Sequence, residues 1–146
     1  MGDLLEASIL ELILNGVGIP GIADDTATSP LANLYVSLHT SDPGTSGDQT
    51  AEEISYTGYA RVAVARSAGS PAWTISGAQP SAAIPNASIV FGTMSGGDGG
   101  TAQYAVVGTL STGAGQILYK GAITPNISVT SGVAPSLLVS SAISQL

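Results

Sequence analysis

The chain has 146 residues, 44% hydrophobic and 9% charged, with ten acids against three bases and a formal net charge of −7. That length suits one domain with a core of its own. The missing Lys/Arg footprint argues against a nucleic-acid partner, and the absence of cysteine excludes disulfides, thiolate metal sites and a cysteine nucleophile.

Such sparse charge suits a surface partly covered by other subunits. No apolar run approaches the roughly 20 residues of a membrane span, so no membrane partner is expected. Asp3 is placed to cap a helix over residues 1–16, with Glu6 in its first turn and Gly16 as a natural stop. Leu5, Ile9, Leu12 and Ile13 recur at helical spacing opposite Glu6, Glu11 and Asn15, while Leu4, Leu10 and Leu14 widen the apolar surface until it nearly encircles the helix. A helix this apolar is expected to be buried on two sides, within its own domain or against a neighbouring chain. Asp3 and Glu6 stand where a signal peptide would be basic, so synthesis in a cytoplasm without a cleaved signal is expected.

Residues 17–32 mix Gly, Pro, Asp and Thr without a period and read as a connector. The Asp24-Asp25 pair within it lacks the spacing of a calcium loop and reads as solvated acids. Next comes a strand over Asn33 to His39, with Leu34, Val36 and Leu38 on one face and Tyr35, Ser37 and His39 on the other. The loop Thr40 to Asp48 turns through Asp42-Pro43-Gly44. A second strand, Tyr59 to Arg66, carries Arg61 and Arg66, two of the three basic residues. Their odd separation sends them to opposite faces, each to pair with an acid inside the chain or across an interface.

Beyond Arg66, short strands are predicted over residues 73–75, 83–84, 88–91, 102–110, 116–123, 127–130 and 137–143, separated by Gly, Pro, Asn and Ser. Turns every eight to twelve residues or so are the signature of an antiparallel sandwich. A hairpin reverses through Ser111 to Gly115. The Met94 to Gly100 loop has little apolar anchorage of its own and is expected to be mobile unless a partner holds it. The fold class is mainly β: a single antiparallel β-sandwich, jelly-roll-like, over residues 1–146 with one N-terminal α-helix. Its predicted core is Leu34, Val36, Leu38, Val62, Val64, Trp73, Ile75, Ile89, Phe91, Val106, Ile117 and Leu138. Burying these side chains is enough to fold the chain without a cofactor.

Catalytic chemistry has little to build on. His39 is the single histidine, with Asp42 three residues on and serines nearby, but there is no G-x-S-x-G elbow. A histidine at a strand end is expected to bond the neighbouring turn, and one histidine without cysteines does not hold a metal. The glycines from Gly92 to Gly100 fit neither phosphate-binding pattern. No catalytic, cofactor or metal residue is assigned, and the chain is read as a non-enzyme.

The wording Leu34-Tyr35-Val36-Ser37-Leu38-His39-Thr40-Ser41-Asp42-Pro43-Gly44, followed by Glu53-Ile54-Ser55-Tyr56-Thr57-Gly58-Tyr59-Ala60-Arg61-Val62, resembles a family of small structural proteins of tailed bacteriophages. Members are tail-fibre-like, and relatives look like head decoration or cement proteins. The likeness continues through Ala83 to Phe91, Gly113 to Ala122 and Ser131 to Ser136. It implies a virion component and supplies no catalytic residues. The chain lacks heptads and triple-helical repeats, which points to the head and not to a fibre shaft; with the sparse charge, the apolar helix and the Gly-rich loop, the leading expectation is a trimeric cement protein binding the major capsid protein. The alternative is a tail-fibre or adaptor protein that binds tail components or host-surface glycans through the Asp42 to Asp48 and Met94 to Gly100 loops. A small hydrolase using His39 is a third. Candidate interface residues are Leu5, Ile9, Leu12, Asp42, Arg61, Arg66, Met94 and Asp98.

Overall fold

The computed structural model describes residues 3–19, 30–45, 47–67, 72–76 and 81–145. The Asp24-Asp25 pair, most of the connector and the side chains of Asp3 and Leu4 lie outside the described residues. The elements run α1 (Asp3–Leu10), a π-helical turn (Glu11–Asn15), β1 (Asn33–His39), β2 (Val62–Ala65), β3 (Trp73–Ser76), β4 (Ser81–Pro85), β5 (Ile89–Val90), β6 (Gly100–Gly108), β7 (Ile117–Val129), β8 (Ser136–Leu137) and β9 (Ile143–Gln145). The chain is mainly β, built from antiparallel sheets with one helical segment at its N-terminus. It forms two compact units, one of Met1–Asn33, Val64–Ser88 and Leu137–Leu146, the other of Leu34–Ala63 and Ile89–Ser136.

In the first unit, α1 and its π-helical turn pack on the sheet β3-β4-β9, in which Trp73 pairs with Pro85 and Ala83 with Ile143. The helix does not present the face that its amphipathic spacing predicts. Glu6, Leu10, Leu14 and Asn15 are buried, whereas Leu5 is 41% exposed and Ile9, Leu12 and Ile13 are half-buried. Asn15 turns inward with its amide nitrogen donating to Trp73 O at 3.2 Å and to Glu11 Oε2 at 2.8 Å, while its Oδ1 is buried without a partner. The helix stops at Gly16, whose left-handed backbone (φ 69°) lets Val17 N donate back to Glu11 O at 3.1 Å.

The last turn of a helix leaves carbonyls without intrahelical donors, and Arg66 supplies two of them. Its Nε donates to Ile13 O at 2.8 Å and its Nη2 to Leu12 O at 2.7 Å. A guanidinium at the negative end of the helix dipole is favourable as well as hydrogen-bonded.

The second unit is centred on the sheet β2-β1-β6-β7. β1 pairs with β6, Val36 against Val107 and Leu38 against Ala105. The strands predicted over 116–123 and 127–130 are one strand, β7, with an irregularity. Ala102 faces Ile127 but Tyr104 faces Ala122, so residues 123–126 are accommodated opposite Gln103 alone. Leu34, Val36, Leu38, Phe91 and Val106 are buried as predicted, and so is Trp73 in the first unit. Val62, Val64, Ile75 and Ile117 are only half-buried, and Leu138, a predicted core residue, is 58% exposed just beyond the two-residue strand β8.

The Met94 to Gly100 loop, expected to be mobile, is tied down by distant backbone. Met94 is buried, its N donates to Val133 O and its O accepts from Gly132 N, both at 2.9 Å. Thr57 N donates to Gly96 O at 2.8 Å, and Ser95 N to Thr57 O at 2.9 Å. Nothing local in the loop's own composition announces these partners.

Arg66→Met keeps the aliphatic stem and removes both bonds to the helix end. It is expected to lower stability by about 2 kcal/mol, read as a fall in denaturation midpoint. An unchanged midpoint would show that water serves those carbonyls equally well.

Candidate functional site

Arg61 and Glu53 lie on a loop and a strand edge eight residues apart, and they meet in a two-pronged ion pair: Nε to Oε1 at 2.8 Å and Nη2 to Oε2 at 2.7 Å. The Arg61 side chain is 3% exposed. Tyr59 adds a third donor, its hydroxyl reaching Glu53 Oε1 at 2.9 Å while accepting from Leu38 N at 3.1 Å. The hydrogen bonds from Arg61 to Glu53 raise the Arg61 pKa further, and burial pushes the Tyr59 phenol well above its ordinary range. Both groups therefore keep their protons, and Glu53 accepts from both. The Tyr59 ring is held in turn by parallel stacking on Phe91 (6.1 Å between centroids) and an edge contact with Tyr56 (5.3 Å).

The remaining donors of Arg61 reach the hairpin between β6 and β7. Nη1 donates to Leu110 O and Nη2 to Gly113 O, each at 2.9 Å. Gln49, fully buried, takes hold of the same hairpin from its base. Its N donates to Gly115 O at 2.9 Å, and its Oε1 accepts from Leu110 N at 2.9 Å. The side chain fits only because both flanking positions are glycine: a Cβ at Gly108 would lie 2.2 Å from Gln49 Cδ, and one at Gly115 would lie 2.0 Å from Oε1. Thr109 N and Gln116 O close the base at 3.2 Å. The tip residues Leu110 to Ala114 are nonetheless all exposed, Leu110 to 46%.

His39 is fully buried and wholly engaged in holding the turn that carries Gln49 and Glu53. Nδ1 lies 2.7 Å from Ala51 O, a pure acceptor, so Nδ1 carries the proton and Nε2 accepts from the Ser37 hydroxyl at 2.9 Å. Burial lowers its pKa below 6.5; Arg61 acts in the same direction, while the Ala51 carbonyl, Glu53 and Glu52 act against it. The expectation that this histidine bonds the neighbouring turn is what the geometry shows.

The candidate interface residues fall into two groups. Leu5, Ile9, Leu12 and Arg66 belong to the first unit, where Arg66 bonds the backbone of Leu12. Asp42, Arg61, Met94 and Asp98 belong to the second. Asp42 is exposed and ion-paired with Lys120, Asp98 is exposed, and Arg61 and Met94 are buried. Gln49, Glu53 and Tyr59 escape sequence reasoning. Only the paired glycines 108 and 115, straddling a short hairpin, hint that something large is seated between them.

Against known families, the model of Gp80, described as podophage GP4 fiber I protein gp80, matches residues 1–143. No curated protein matches the chain.

Arg61→Ala leaves the half-buried Glu53 carboxylate with Tyr59 as its side-chain donor and is expected to cost about 1–3 kcal/mol, whereas the joint change Glu53→Met with Arg61→Met is expected to cost less. Denaturation midpoints of the three proteins decide this; equal losses would mean that the pair itself supplies the stability. The neutral His39 gives a separate signature. Its folded-state pKa is depressed, so the unfolded chain binds the extra proton first, and stability is expected to fall as pH drops below 6.5, by at most about 1.4 kcal/mol per pH unit. Asp42 and Asp48, lowered from 3.8, act only in a more acidic window. His39→Gln should flatten the profile between pH 7 and 5, and an unchanged slope in that variant would assign the effect elsewhere.

Proposed function

The chain belongs to the Gp80 family of podophage GP4 fiber I proteins, and on that premise we propose that it is a tail-fibre or fibre-base subunit joining other tail proteins by surface contact. The observation that carries this reading is the extent of the match, 1–143 of 146 residues. Membership of a fibre family supports the tail alternative over the head-cement reading and its major capsid protein partner. These residues contain neither heptads nor triple-helical repeats, so the role proposed for them is attachment rather than shaft.

The charge distribution supports adhesion to protein. All three basic side chains are engaged within the chain: Arg61 with Glu53, Lys120 with Asp42, and Arg66 with the helix-end carbonyls. No cation is left over to form the footprint that a polynucleotide requires. The surfaces proposed for attachment are the outward stripe Leu5, Ile9 and Leu12 of the first unit, and the loops carrying Asp42 and Asp98 in the second. The chain is proposed to act by binding, with His39 committed to the fold.

Gold-labelled antibody against the chain, applied to purified particles, is expected to mark the tail, at the low copy number of a tail part. Label spread over the head, with copies scaling with the shell subunits, would restore the cement reading and remove this one.

A further inference from the structure

The hairpin tip between β6 and β7 poses a physical question. A connection whose side chains all face solvent adds nothing to the core, and a loose one would cost the fold little. Here a buried arginine, ion-paired to the half-buried Glu53, and a buried glutamine hold five exposed residues in one shape. Arg61 fixes the carbonyls of Leu110 and Gly113, and Gln49 fixes the amide of Leu110 and the carbonyl of Gly115. Burying an ion pair is a weak source of stability compared with apolar packing of the same volume. What it does supply is geometry, because the forked guanidinium orients its acceptors in a plane.

We propose that the tip Leu110 to Ala114 is a preformed docking knob that inserts Leu110 into an uncharged pocket of a different protein of the particle. The inference rests on the tail-fibre reading and names the contact it uses. Preorganisation is what makes a small knob bind, since little freedom is lost on docking. The chemistry of the tip sets the class of partner. Residues 99–119 contain no charged side chain, in a protein of net charge −7. Leu110 offers an exposed apolar anchor, and Ser111 and Thr112 offer hydroxyls beside it. The tip has no cation for phosphate and no aromatic ring on which a sugar could stack. A second copy is the poorer occupant, because two tips meeting across a two-fold axis would set one protruding Leu110 against another and not in a pocket.

A more ordinary account is that the tip carbonyls merely satisfy the spare N–H groups of Arg61. The two accounts separate in phage carrying Leu110→Asp or Thr112→Trp. Neither side chain is part of the core, so the purified variants should keep the parental denaturation midpoint. Copies per particle should nonetheless fall at least tenfold, and a benzoylphenylalanine at 112 should photocrosslink to a different virion protein far more than one at the exposed Thr130. Full incorporation of both variants would overturn the knob and leave the fibre reading standing, since the location of the parental chain tests that separately. Full incorporation with lost adsorption to host cells would assign the tip to the host surface and overturn the pocket. A crosslink only to another copy would also overturn it, and absence of the parental chain from particles would overturn both readings.

Discussion

The arrangement of the second unit depends on one carboxylate. Glu53 receives three donors, two from Arg61 and one from Tyr59, at 2.7–2.9 Å. Through those donors it is coupled to the β1 backbone at Leu38, to the aromatic stack on Phe91 and to the β6–β7 hairpin. A half-buried carboxylate is stabilised by donors that answer its lone pairs, and those donors are in turn held where they can reach it. The chain has few charges to work with, and it places its best-formed ion pair where the geometry of an exposed tip depends on it.

The first unit solves a similar problem at a helix end. Arg66 answers the carbonyls that Leu12 and Ile13 cannot pair within the helix, as Arg61 answers those of Leu110 and Gly113. Both arginines lie on or beside β2, and both act on backbone far away in sequence. With Lys120 paired to Asp42, no basic group is spare, and the outward character of the protein is acidic or uncharged. That character suits contact with other proteins and agrees with membership of a phage fibre family.

Much of the fold was legible where the signal is local. The alternation of Asn33 to His39 predicts β1 at both ends, and the Gly-rich run 111–115 predicts the hairpin, because side-chain period and turn residues act over a few positions. Where the deciding partner is remote, the sequence is silent. Apolar spacing turns Leu5 inward and Asn15 outward, yet Asn15 is buried against the carbonyl of Trp73, 58 residues away, and Leu5 is left exposed. Glycine content suggests a loose Met94 to Gly100 loop, yet Thr57, Gly132 and Val133 hold it. Of the site, Arg61 was recognisable as a scarce cation in need of an acid. Gln49 was not, because a glutamine in a polar loop looks solvated until the glycines that make room for it are seen together.

A hairpin tip that is rigid although exposed is tested most directly by amide hydrogen exchange. The Leu110 amide, bonded to Gln49 Oε1, should exchange about as slowly as the amides of β6 that precede it in the sheet. Exchange of Leu110 at the rate of an unstructured peptide, with β6 still protected, would mean that the clamp does not hold and that the tip has no fixed shape to offer a partner.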